Sequence, residues 1–326
     1  MAFPKGIVFP STGVITEEVK KTYRHPIEGY DINVVEEIYQ RLMAVYPVDH
    51  NIWWKANKKP YIHFEIQFHV MEHLLSYSTV WEGNNRNPYM YPYFAPFTKS
   101  KFSVKHEDLF YVMKPFLMRI MDIVNGYNEY FRQNRGTEQW FSDFFQTDFK
   151  WDVFNFNYDT PVEQSLVDYE DGYEQVAGDN YSKFSPMKLQ QNPRDLSTVN
   201  HLHGCILYCG KKIANDDVYD ITIHDLYKYP DYDTVKGMLM GRGQSNEVSQ
   251  TNEEYFAGPI ITGLRKTDKL SCVPYDFYYG NLYKALYSSP ALVIVGCSFG
   301  DLYVNNVIRR MHMQYGDKTR VVIIDK

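Results

Sequence analysis

Three short stretches hold residues whose types and spacing can do chemistry. The first is Trp151 to Gln164, WDVFNFNYDTPVEQ, where Asn157-Tyr158-Asp159 sets an amide and a carboxylate two residues apart. Together they offer donors and acceptors to hydroxyls and carboxamides. The second is His203-Gly204, in the run VNHLHGCILY. An imidazole titrates near neutrality and can take a proton from a hydroxyl or from water. The third is Gly296-Cys297-Ser298-Phe299-Gly300-Asp301, a Gly-x-Ser loop that closes an apolar run. A fourth pattern, His69-Val70-Met71-Glu72-His73, matches HxxEH, the spacing of a zinc peptidase helix. No third ligand is marked for it, and a polar seam on a packed helix is the plainer reading. The plainer readings of the other stretches are turn residues around Asn157 and Asp159, and a buried or turn histidine at 203.

These residues need elements to hold them at one edge. Val153, Phe154 and Phe156 predict a strand ahead of Asn157. Thr160 as N-cap, Pro161 at the first helical position and Glu163 three residues after Thr160 predict a helix opened by a capping box. Open α/β sheets bind ligands at the carboxyl end of such a strand. Residues 199–208 predict a second strand, with His203-Gly204 at a sharp bend. Near the end of the chain, Tyr275 to Ser288 predicts a helix and Ala291 to Val295 a buried strand. Val304, Val307, Ile308 and Met311 form a helical stripe, and Val321 to Ile324 predicts another strand. This is a βαβ unit of parallel type, with Asp325 placed to meet a ribose hydroxyl.

The remainder is read more coarsely. Pro10-Ser11-Thr12-Gly13 is a turn or phosphate-loop candidate before a helix over Glu17–Tyr23, since backbone N–H groups there can meet an anion. Further helices are predicted over Val34–Val45, Tyr61–Tyr77 and Leu109–Tyr130, the last with a kink near Pro115. Gly83–Phe97 is a loop broken by Pro88, Pro92 and Pro96. Residues 50–150 thus form a mainly helical layer or insertion. Asp168–Pro193 is polar and Tyr-rich, with no element assigned. Residues 210–258 read as an irregular, charged loop module, with a mobile loop at Gly241–Glu254.

At 326 residues the chain is long enough for a substantial core. Its 44% hydrophobic and 23% charged content are those of a soluble globular protein. A net charge of −6 gives no strong nucleic-acid signal. No apolar run approaches the roughly 20 residues that span a bilayer, and the start lacks the pattern of a signal peptide. A cytoplasmic protein is expected. The 4 cysteines form no CxxC pairs, so neither a zinc ribbon nor a disulfide framework is expected.

In their order, the Asn157-Tyr158-Asp159 strand end, the His203-Gly204 bend and LVIVGCSFGDLYVNNVI at 292–308 resemble the sirtuin-like family. The likeness is greater to its bacterial antiphage-defence branch than to the protein deacylases. His63-Phe64-Glu65 is similar to the Asn-Phe-Glu helix of that branch. The opening Gly-Ala-Gly-x-Ser loop of the family has its nearest match at Phe9-Pro10-Ser11-Thr12-Gly13, without the glycine pair; either the loop has drifted or its strand lies upstream of Met1.

The resemblance implies one Rossmann-like α/β domain across residues 1–326, with a parallel sheet and helices on both faces. It implies NAD+ as substrate, no metal, and cleavage of the nicotinamide–ribose bond to ADP-ribose or a cyclised product. His203, Asn157 and Asp159 take the catalytic places. Ser11, Thr12, Gly13, Gly296, Ser298, Phe299, Asp301 and Asp325 take the cofactor-binding ones. A homo-oligomer or larger defence complex, with a phage-derived activator, follows by analogy. The alternatives are a noncatalytic NAD or ADP-ribose binding module and an NAD-dependent protein deacylase.

Overall fold

The computed structural model describes residues 25–27, 30–32, 64–65, 67–71, 106–134, 139–192, 195–210, 226–241, 246–248, 254–256, 260–261, 270, 273–297, 299 and 301–324. Two antiparallel hairpins, β1 (His25–Ile27) with β2 (Tyr30–Ile32) and β10 (Asn246–Val248) with β11 (Glu254–Phe256), lie among them. The predicted helices over Glu17–Tyr23 and Val34–Val45, and the Gly83–Phe97 loop, lie outside the described residues.

The site-bearing sheet is parallel. β7 (Ser197–His201) runs between β3 (Asp152–Asn155) and β4 (Tyr169–Glu170), with Asn155 opposite His201. As the middle strand β7 is buried along Thr198–His201, which requires its polar side chains to find partners. Thr198 Oγ1 donates to Asp152 Oδ1 at 2.8 Å, and Asn200 Nδ2 donates to the Val153 carbonyl at 3.2 Å. Asn200 Oδ1 accepts from Asn281 Nδ2 at 3.1 Å, a bond that ties the strand to the helix Tyr275–Ser288, which precedes the closing βαβ unit.

That unit forms where the periodicity places it. β12 (Ala291–Val295) pairs in parallel with β13 (Arg320–Ile324), and the helix between them is Leu302–Tyr315. The preceding helix, Tyr275–Ser288, turns Tyr275, Tyr278, Tyr279, Leu282 and Leu286 inward on one stripe. Val307 and Met311 meet these in a core that also takes in Tyr173, Phe184, Leu202 and Tyr208. The abundant tyrosines of the sequence thus serve as core here. Two of their hydroxyls pair in place: Tyr208 and Tyr278 share a hydrogen bond at 3.2 Å, and Tyr278 donates to the Asp171 carbonyl at 2.8 Å.

In chain order the helices are α1 (His106–Gln133), α2 (Gln139–Phe145), α3 (Pro161–Ser165), α4 (Pro186–Gln191), α5 (Tyr232–Gly241), α6 (Tyr275–Ser288) and α7 (Leu302–Tyr315). α1 continues as one helix through Pro115. Residues 64–65 and 67–71 are helical, as expected of Tyr61–Tyr77.

Two stretches differ from the sequence reading. Residues 168–193 are not featureless: β5 (Tyr173–Gln175) and β6 (Ser182–Phe184) join β8 (Tyr208–Gly210) and β9 (Leu226–Lys228) in an antiparallel sheet ordered β5-β6-β9-β8. Residues 210–258 are not uniformly irregular either, since α5 and the β10–β11 hairpin lie there. Gly237 weakens α5 as a helix on local propensity. Docking onto α1 makes up for it: Asp122 Oδ1 accepts from the Tyr232 hydroxyl at 2.7 Å and from Lys236 Nζ at 2.6 Å. These bonds join residues more than a hundred positions apart, which no window of sequence displays.

Gly172, the residue before β5, stands at φ +85°, and a Cβ there would run into the ring of Phe184. Gly172→Ala is expected to destabilise the fold by about 2–4 kcal/mol, backbone strain and overpacking acting together. A lowered urea midpoint at unchanged m-value would show it.

Candidate functional site

Because β3 and β7 are parallel, the loop after each leaves from the same edge of the sheet. Asn155, the last residue of β3, shapes the first loop. Its Oδ1 accepts from the Asn157 amide at 2.9 Å. Its Nδ2 donates to the Asp159 carbonyl at 3.1 Å and to Asp159 Oδ1 at 3.3 Å. The Asn155 carbonyl accepts from the Leu202 amide at 2.9 Å and so fixes the second loop beside the first. Asn157 is exposed, with its main chain pinned, whereas Asp159 is buried. Tyr158 points inward and donates to Glu65 Oε1 at 3.2 Å and to the Ile261 carbonyl at 3.3 Å. The helix bearing Phe64-Glu65 is thereby tied to this loop.

His203 is buried in the bend that follows β7. Phe156 packs against it edge-on, with ring centroids 5.2 Å apart. Its carbonyl accepts from the Ile261 amide at 2.6 Å. Gly204 takes φ +93°, a conformation that a side chain would strain, and bridges to Ile260. His203 Nε2 lies 3.5 Å from Asp301 Oδ2. Asp301 is also the N-cap of α7: its Oδ1 accepts from the Tyr303 amide at 2.9 Å and from the Val304 amide at 3.3 Å.

The third loop closes β12. Gly296, at φ +60°, donates its amide to the Ile324 carbonyl at 2.9 Å, holding the ends of β12 and β13 together. Phe299 stands at φ +55° and is exposed, and its carbonyl accepts from Asn305 Nδ2 at 2.6 Å. Of the residues singled out from sequence, Asn157, Asp159, His203, Gly296, Phe299 and Asp301 are described, and His203 meets Asp301 directly. Ser11, Thr12, Gly13, Ser298 and Asp325 lie outside the described residues, as does His73 of the HxxEH pattern.

The roles of two residues escaped the sequence reading. Asn155 is one; its place two before Asn157 and four before Asp159 is the signal of an Asx-type turn. Glu163 is the other, and here the expectation is corrected. Thr160 does occupy the N-cap position of α3, but its side chain makes no capping bond, and Glu163 does not complete a capping box. Glu163 Oε1 instead lies 2.5 Å from His201 Nε2, both side chains buried. A buried charge-assisted bond is stronger than a capping bond at a five-residue helix, so Glu163 turns inward. Burial alone would push its carboxyl up, but His201 and Lys228 hold it below the usual range.

A parallel α/β edge carrying an Asx-turn loop, a histidine bend and a capped helix defines a Rossmann-like domain of the ligand-binding kind. The family model of the SIR2-like domain matches residues 152–326, more than half of the chain, and the chain belongs to that family. The sequence resemblance to sirtuin-like proteins is met. No curated protein matches the chain. SIR2-like domains use NAD, and membership is consistent with an NAD-dependent enzyme. Among the described residues no helix is long and apolar enough to cross a membrane.

Burial pushes the Asp159 carboxyl up to about 6, against the pull of Asn155. Below about pH 4 it is protonated in both the folded and unfolded chain. Between about 4 and 6 the unfolded chain releases its proton first, so stability falls across that window by about 3 kcal/mol and then levels off. Asp159→Asn removes this loss. The variant is expected to gain on the wild type by about that amount between pH 4 and pH 7, read from paired denaturation curves.

Proposed function

We propose that this chain is an NAD+ hydrolase that cleaves the nicotinamide–ribose bond, releasing nicotinamide and ADP-ribose or its cyclised form. The observation that carries this reading is the His203–Asp301 contact of 3.5 Å at the edge where Asn157 is exposed. Departure of nicotinamide leaves positive charge on the ribose, so the site must grip the sugar and take a proton from a hydroxyl or an attacking water. His203 takes that proton. Asp301 supports the charge the imidazole acquires, as a carboxylate beside a histidine base does. Asn157 orients the nicotinamide ribose and the incoming water, and Asp159 positions its loop. Gly296, Ser298, Phe299, Ser11, Thr12 and Gly13 approach the phosphates or the adenosine, and Asp325 its ribose.

On this reading residues 1–326 make one sirtuin-like domain, with 50–150 as its helical layer. The protein acts in the cytoplasm as an antiphage abortive-infection effector. A homo-oligomer or a larger defence complex, with a phage-derived activator, sets its activity.

The test is nicotinamide release from NAD+ by the purified chain beside His203→Ala, Asn157→Ala and Asp301→Asn, each shown to be folded by circular dichroism. Release by the wild type should fall by about 100-fold or more in the first two and by about 10-fold in the third. Equal release in all four proteins would sink the assignment. Binding of NAD+ or ADP-ribose without turnover would replace the hydrolase by a binding module.

A further inference from the structure

We propose that Glu163, His201 and Cys205 form a zinc-binding site. The three come from separate places: Glu163 from α3, His201 from the end of β7, and Cys205 from the turn past the bend, so that the last two flank His203 by two residues each. No cysteine pair announces such a site. The inference stands on the packing of these side chains and does not rest on the NAD reading.

One donor atom from each residue lies within 4.8 Å of the other two. The His201 and Glu163 side chains are only 1% and 8% exposed, and Cys205 is fully buried. His201 Nε2 and Glu163 Oε1 share a hydrogen bond of 2.5 Å, which uses one polar atom of each. The others, Glu163 Oε2 and His201 Nδ1, are buried with no hydrogen-bond partner. An unpaired buried polar atom costs about 1–3 kcal/mol, and Glu163 Oε2 is such an atom on a carboxylate that already stands beside the His201 and Cys205 donors.

An ion fits the spacing. Zinc bonds of about 2.0–2.1 Å to N and O and 2.3 Å to S put tetrahedral ligands about 3.3–3.6 Å apart. The Glu–His pair would open by about 1 Å or less and the thiol would close by a similar amount, within the play of side-chain torsions. The donor set also chooses the metal. Calcium and magnesium take oxygen ligands, whereas thiolate, imidazole and carboxylate together suit zinc. Glu163 and a Cys205 thiolate carry two negative charges, which the dication balances. The reaction is Zn2+ displacing the Sγ proton of Cys205, and any proton held between Glu163 and His201, into solvent. Bound there, the ion joins α3, β7 and the turn that ends the bend, and clamps both flanks of His203.

The full chain, purified without a histidine tag, is loaded with zinc sulfate, desalted and subjected to elemental analysis. Wild type and His73→Ala should each keep about one zinc per chain, and Cys205→Ala and Glu163→Gln about a tenth of that or less. Stripping zinc with a chelator should lower the melting temperature of the wild type and leave Cys205→Ala unmoved. Should the variants fail to fold, cobalt-loaded wild type must show the thiolate-to-cobalt absorption band. Loss of zinc by the wild type on desalting, retention by Cys205→Ala, loss in His73→Ala alone, or a cobalt complex without that band would each overturn the site.

Discussion

The structure hangs on the parallel pairing of β3 with β7. The register that sets Asn155 opposite His201 sends two loops off the same edge, and the bond from the Leu202 amide to the Asn155 carbonyl carries the pairing one step beyond the strands. A slip of one residue would reverse which side chains face inward. His201 would then leave Glu163, and the Asn155 carbonyl would no longer meet the Leu202 amide. The chemistry-bearing residues are therefore held through main-chain pairing first and side-chain contacts second.

A middle strand with Thr198, Asn200 and His201 all buried places a heavy demand on its surroundings. The partners come from every layer: Asp152 on the neighbouring strand, Asn281 on α6, and Glu163 on α3. A charged pair lies in the same region, where Lys228 Nζ meets Asp171 Oδ2 at 2.5 Å, close enough to act on Glu163. Such pairs contribute little net stability, because desolvation offsets attraction. They do make wrong packings expensive, since any arrangement that separates them leaves a buried charge alone.

How much of this could be read from the chain depended on how local the signal was. The closing βαβ unit was legible, because the apolar runs Ala291–Val295 and Val321–Ile324 and a stripe at Val304, Val307 and Met311 carry their own periodicity. The bend at His203-Gly204 was legible for the same reason: glycine at positive φ leaves its mark in one residue. The antiparallel sheet was not, because β5, β6, β8 and β9 are three residues each and hold their shape by pairing with one another. Glu163 misled. Its position fitted a capping box, and the partner that claims it lies 38 residues away. Asp301 was assigned to the ligand from sequence, and the structure adds that it reaches His203.

Asp301 spends one oxygen on the first amides of α7 and turns the other toward the imidazole of His203. The anchoring of a helix and the poise of a base are thus a single mechanical joint. A shift at the amino end of α7 would carry with it the carboxylate that faces the ring. The helix that seals one side of the core is also the lever nearest to the chemistry.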